Sequence, residues 1–408
     1  MRARVSCPGR VIDVLVIVAP GQGAQTPGFL TPWLEDDVFA SRLHWLSTVA
    51  GIDLAEHGTT SNAETIRDTR IAQPLLVATS LVAVLELFPQ PADAFGLVGA
   101  VAGHSVGELA AATGARAITA EQAMVLVRER GNAMANAAAA SPTGMTAVLG
   151  GDRTEVLDVL ARHGLVPAND NGPGQIVAAG TAEQLAALAA DPPAKARLIP
   201  LSVAGAFHTE HMAPAVGHVA KLAVSVSTHD PRIPLISNRD GQVIHDGREV
   251  LKRIVGQIAH PVRWDLCMET MADLGVTGIL EMPPAGTLTG IAKRALKGVE
   301  TFALKTPDQL DAARDFAEKH GEGSLITTTP TWRMVVSPVK GTFQISPEAA
   351  EVDLLTVGME IGAVNSLRDR ISVTAAHGGH IVEWLVEDGD PVSPGQPLLR
   401  LHPEGVVE

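Results

Sequence analysis

The sequence predicts an α/β fold followed by a small all-β domain, and three observations carry that reading. From residue 11 to about 305, short apolar runs alternate with alanine-rich helical stretches, which implies a parallel sheet with helices on both faces. Between 142 and 204 the order changes to strand, helix, two strands joined by a turn, helix, strand. From 333 to 404 only short β-branched runs separated by Gly and Pro turns remain.

The elements follow in chain order. "VLVIVAPG" reads as a strand ending in glycine, and "AQPLLVATSLVAVLELF" (72–88) as a helix with apolar residues on more than one face. "FGLVGAVAGHS" (95–105) reads as a strand feeding a turn, and "VGELAAATGA" and "AEQAMVLVRERGNAMANAA" as helices. The segment 142–204 suits a ferredoxin-like insertion, with "NDNGPGQ" as its turn because these residues tolerate left-handed backbone. Helical patterning returns at 205 and ends near "GILEMPPAGTLTGIAKRAL". Residues 306–332 hold one charged helix and then a Gly/Ser/Thr/Pro stretch, a linker pattern.

Composition narrows the function. At 408 residues the chain accommodates two or three domains with a buried core. A net charge of −14 and the lack of a basic stripe argue against nucleic acid, and any acidic partner must dock on a local basic patch. The two cysteines, Cys7 and Cys267, have neither disulfide nor metal-ligand spacing, which points to a reducing cytoplasm. "VIDVLVIVAPG" (11–21) is too short to span a bilayer and runs into "GQGAQ" rather than a cleavage site, so it reads as a buried strand.

"GHSVGELAA" (103–111) sets Ser105 at G-x-S-x-G spacing between a strand and a helix. That geometry exposes a nucleophilic hydroxyl on a sharp turn and aims the positive end of a helix at a developing oxyanion. The motif alone leaves three readings open: a hydrolase, a transferase, or a turn serine.

Seven motifs narrow the choice: "PGQGAQ" (20–25), "AQPLL" (72–76), "GHSVGE" (103–108), "RERG" (128–131), "NDNGPGQIVAAG" (169–180), "AFH" (206–208) and "HPVRW" (260–264). In this order and spacing, residues 12 to about 305 resemble the malonyl-CoA:acyl carrier protein transacylases. The resemblance implies an α/β-hydrolase-like core, 11–141 with 205–305, around the ferredoxin-like insertion. It implies Ser105 as nucleophile, His208 as general base, and Gln257 orienting that base through its backbone carbonyl in place of a carboxylate. Backbone N–H groups of Gln22 and Val106 would form the oxyanion hole. Arg130 would bind the free carboxylate of malonate, and Phe207 would crowd the α-carbon against a methyl branch. His104, beside the serine, reads as structural. "PPAGTLTG" replaces the family's usual G-P-G before "LTG".

The implied reaction is ping-pong transfer of malonyl from malonyl-CoA to the phosphopantetheine thiol of acyl carrier protein, in fatty acid or polyketide synthesis. It calls for no metal and no bound cofactor. A hydrolase editing acyl carrier proteins would keep Ser105 and His208 but have no need of Arg130. A scaffold recruiting carboxylase components through the tail would need none of the three.

The tail resembles a biotinyl/lipoyl carrier domain, through "VVSPVKGTF" and "GGHIVEWLVEDGDPVSPGQPLLRL". Counting back from Gly379, Arg368 stands at the position of the modifiable lysine, flanked by Leu367 and Asp369 where biotinyl domains carry methionines. A guanidinium stays protonated and is no ligase substrate, so the swinging-arm function is expected to be lost. Lys340 lies in the opening strand-turn, a poor alternative site.

Overall fold

The computed structural model describes residues 13–321, 333–366 and 369–403, and these form two compact units divided near residue 326. In the first unit a six-stranded sheet runs in the order Glu300–Ala303, Gly278–Glu281, Leu15–Ala19, Val98–Gly103, Leu235–Ile236, Val243–Ile244. The first five strands are parallel, and the sixth returns as an antiparallel hairpin. Leu15–Ala19 and Val98–Gly103 are buried along their whole length, as central strands covered on both faces must be.

The strand expected over 95–105 is shorter than its apolar run. Pro91 at the first helical position and Asp93 in the first turn start a helix that continues to Leu97, and the strand begins at Val98. The helix Thr69–Leu87 is long and apolar enough to cross a membrane, yet 72% of its apolar window is buried inside the fold, so it is a core helix. Thr119 and Gln122 cap the helix Ala120–Ala139 reciprocally, each side chain satisfying a backbone N–H of the other.

The insertion has the order Ala196–Pro200, Thr143–Gly150, Gln175–Thr181, Val166–Asp170, with helices Arg153–Arg162 and Ala182–Ala190. This is the split βαββαβ arrangement expected from the sequence. Gly172 and Gly174 take φ of 86° and 73° in the hairpin turn. A fifth strand, Val262–Arg263, pairs in parallel with Val166–Asp170, so the "HPVRW" motif stitches the insertion to the core.

The charged helix assigned to the linker belongs to the first unit. Leu310–His320 buries Ala313, Ala317 and His320, and Arg314 donates to the carbonyls of Glu86 and Leu87. Its small residues at i, i+4 make an apolar stripe narrow enough to be hidden in a charged sequence.

The second unit contains two four-stranded antiparallel sheets. One orders Arg333–Val336, Pro397–Pro403, Gly379–Trp384, Leu354–Leu355; the other orders Arg370–Thr374, Glu360–Asn365, Gly341–Ile345, Pro391–Val392. Phe343, Leu355, Ile361, Val364 and Leu399 are fully buried in its core. It also carries one short helix, Pro347–Ala350. The Ser366 backbone N–H donates to the Asp369 carbonyl between the strands Glu360–Asn365 and Arg370–Thr374. Leu367 and Arg368 lie outside the described residues.

Candidate active site

The site forms where the two central strands end. Ala19 lies opposite Gly103 in parallel register, so the loops carrying Gln22 and Ser105 leave the sheet side by side. Ser105 sits at φ 53°, and the helix Gly107–Gly114 starts two residues later. The glycine at 107 is a packing requirement: a Cβ there would stand 2.4 Å from the Ala19 carbonyl oxygen. The close approach of the two loops therefore depends on that missing methyl.

His208 also has a left-handed backbone, φ 62°, and its Nε2 lies 2.8 Å from Ser105 Oγ. Two strained non-glycine residues facing each other are a mark of a site held by its surroundings. His208 Nδ1 lies 2.9 Å from the Gln257 backbone oxygen, which fixes Nε2 as the nitrogen free to accept the serine proton. Gln257 ends the helix Gly247–Gln257, where terminal carbonyls have no helical donor and remain available. Burial, reinforced by the charge of Arg130, lowers the His208 pKa to about 3, so the imidazole is neutral.

Arg130 is 2% exposed and lies on the helix Ala120–Ala139. One guanidinium nitrogen donates to Gln73 Oε1 at 2.6 Å; another donates to Gln257 Oε1 at 3.0 Å and to Ser105 Oγ at 3.4 Å. Neutral amides thus orient it, and no carboxylate among the described residues lies within ion-pair reach. Burial lowers its pKa to about 10, opposed by the more distant Glu108, and it stays charged at neutral pH. Its neighbour Arg128 is half-buried and pairs with Glu129 at 2.9 Å. Gly131 brings the arginine helix against the helix of Gln73, since a Cβ would stand 2.8 Å from the Thr69 carbonyl oxygen.

The remaining predicted residues gather here. Val106 caps the helix after the serine, so its backbone N–H is the first of those with no helical acceptor. The Gln22 side chain donates to the Arg67 carbonyl and Thr69 Oγ1, anchoring its loop. Phe207 is buried beside His208. His104 points away from the reaction, its Nε2 2.9 Å from Asn171 Oδ1 and its ring against Trp264.

Four residues of the site carried no assignment from the sequence. Gln73 and Asn171 lie inside quoted motifs, as does Glu108, a fully buried carboxyl that burial raises to about 7. Asn238 lies in "ISNRDG", a stretch with no signature, yet its side chain touches the serine backbone.

A serine hydroxyl within hydrogen-bond distance of a neutral histidine, at the start of a helix and beside a buried cation, is an arrangement suited to serine-dependent acyl transfer. Residues 16–322 match the family model for the acyl transferase domain. The malonyl CoA-acyl carrier protein transacylase of Mycobacterium tuberculosis is 51% identical over 73% of this chain and 98% of its own length. The crystal structure of the transacylase from the same organism superposes with a TM-score of 0.70, covering 74% of this chain and 99% of that one. A malonyl-transacylase solved in complex with a type II polyketide-synthase acyl carrier protein has a TM-score of 0.68 at 28% identity, over 74% of this chain and 99% of that one. Over about 73% of its length, its N-terminal part, the chain belongs to the malonyl CoA-acyl carrier protein transacylase family.

Proposed function

We propose that this protein transfers malonyl from malonyl-CoA to the phosphopantetheine thiol of acyl carrier protein, as a cytoplasmic enzyme of fatty acid synthesis. One observation carries the cargo: a buried arginine, charged and without an ion-pair partner among the described residues, 3.4 Å from the serine hydroxyl. A malonyl carboxylate supplies the missing negative charge, and the planar guanidinium grips it with two parallel hydrogen bonds.

In this reading Ser105 Oγ attacks the thioester carbon while His208 Nε2 takes its proton. The tetrahedral oxyanion accepts hydrogen bonds from the Gln22 and Val106 backbone N–H groups. His208 returns the proton to the departing coenzyme A sulfur, leaving malonyl-Ser105. The carrier thiol then gives its proton to His208 and attacks the ester, and Ser105 is regenerated. Gln257 orients His208 and Arg130 together, and Phe207 crowds the α-carbon. The reaction needs no cofactor.

For the second unit we propose a barrel-sandwich of the biotinyl/lipoyl type without its modifiable lysine, a reading supported by the paired four-stranded sheets. The division proposed for the chain is 11–141 with 205–305 for the core, extended by the helix Leu310–His320, 142–204 for the insertion, and 333–404 for the tail. A streptavidin blot of the native protein should be blank, and a labelled band would overturn this.

The test of the activity is incubation with malonyl-CoA and holo acyl carrier protein, followed by mass measurement of the carrier. Malonyl-carrier is the expected product. Free malonate with no loaded carrier would instead establish a hydrolase.

A further inference from the structure

Asn238 is fully buried, and every polar group it has is used. Its Oδ1 accepts the Ser105 backbone N–H at 2.7 Å and Gln257 Nε2 at 3.2 Å. Its Nδ2 donates to the Gly103 carbonyl at 2.7 Å. Its own N–H donates to Glu108 Oε1 at 2.7 Å, and its carbonyl accepts the Arg263 N–H at 2.7 Å. The amide orientation is dictated by these partners, because a flip would set NH₂ against the Ser105 N–H and oxygen against the Gly103 carbonyl.

The side chain therefore ties the residue that enters the serine turn to the residue at its apex. Ser105 at φ 53° cannot hold that conformation from its own preference, since left-handed backbone is unfavourable for a residue with a Cβ. Through Gln257 the same amide reaches both the group that orients His208 and one that orients Arg130. Taking Ser105 as the nucleophile, we propose that Asn238 is a positioning residue that holds the serine turn open and sets Ser105, His208 and Arg130 in one register.

The test uses the full-length protein and variants Asn238→Ala and Asn238→Asp, with a neutral fluorophosphonate as the probe of Ser105. Aspartate matches asparagine in size and keeps the oxygen facing Ser105, but as a carboxylate it cannot donate to the Gly103 carbonyl, so it remains informative where the alanine variant folds poorly. Circular dichroism fixes the folded fraction, and labelling rates are referred to it. We expect labelling to slow by about 10²-fold in Asn238→Ala, the loss that a displacement near 1 Å produces, and by at least about tenfold in Asn238→Asp. The kcat for malonyl transfer should fall in parallel while KM for malonyl-CoA changes less than about threefold. A residue that merely supports the fold would lower the folded fraction and leave the labelling rate of folded molecules unchanged, and that result overturns the proposal. The probe carries no malonyl group, so failure of the malonyl reading leaves the labelling result standing. A parent that is not labelled at Ser105 removes the nucleophile assignment and this inference with it.

Discussion

Replacing Arg130 with alanine separates carboxylate recognition from acyl transfer. In the proposed reading the guanidinium of Arg130, a residue only 2% exposed, offers a malonyl carboxylate two charge-assisted hydrogen bonds. At about 1.5–3 kcal/mol each, their loss removes roughly 3–6 kcal/mol, or about 10²–10⁴-fold in kcat/KM for malonyl-CoA. Acetyl-CoA has no carboxylate to lose. It also meets a more basic His208, because the Arg130 charge that helps lower that pKa is gone. Steady-state kcat/KM for malonyl-CoA and acetyl-CoA, measured with holo acyl carrier protein, should show the first collapsing and the second holding or rising. Alanine leaves the Gln73 and Gln257 oxygens without a donor, so folding is followed by thermal unfolding. Arg130→Lys, a point charge that cannot grip a carboxylate twice, should fall between. An equal loss on both substrates would refute the assignment.

Phe207→Ser should open space at the α-carbon and lower the preference for malonyl-CoA over methylmalonyl-CoA by about 10–200-fold, measured by direct competition; an unchanged ratio would remove Phe207 from selectivity. Gly107→Ala forces a methyl to within 2.4 Å of the Ala19 carbonyl oxygen. It should cost about 1–3 kcal/mol or more in unfolding free energy and slow Ser105 acylation, as followed by denaturant titration and burst kinetics. If His208 is the base, its pKa of about 3 should place the acid limb of a kcat/KM pH profile well below the ordinary histidine value of 6.5. Arg130→Ala should move that limb upward toward neutrality. The same shift bears on stability. Between pH 6.5 and about 3 the unfolded chain binds a proton that the native His208 refuses, so native stability falls as pH drops through that window. The decline is up to about 1.4 kcal/mol per pH unit, read from wild type minus His208→Gln.

Local pattern determined a good deal. The glycines around Ser105, the strand before it and the helix after it are visible within residues 98–114, because a strand–turn–helix is specified by neighbours in sequence. The βαββαβ order of the insertion was legible for the same reason. The family resemblance implied His208, Arg130 and Gln257, which the fold brings to hydrogen-bond distance of Ser105 or of one another. The helix Leu310–His320 was visible as a helix, but its partner was not, since two alanines in a charged stretch say little about what covers them.

Only the tertiary structure decided what each side chain faces. His208 stands 103 positions from Ser105 and Asn238 stands 133, and no periodicity relates residues so far apart. Asn238 became part of the site because the parallel sheet sets Leu235–Ile236 beside Val98–Gly103, so the loops leaving both strands meet at one edge. Helix periodicity alone does not separate Arg130 from its neighbour Arg128; the packing of Gly131 against Thr69 is what buries Arg130 against Gln73. Sequence thus determined which residues were capable of acyl-transfer chemistry. Long-range packing, by burying that cluster, decided their protonation and their orientation.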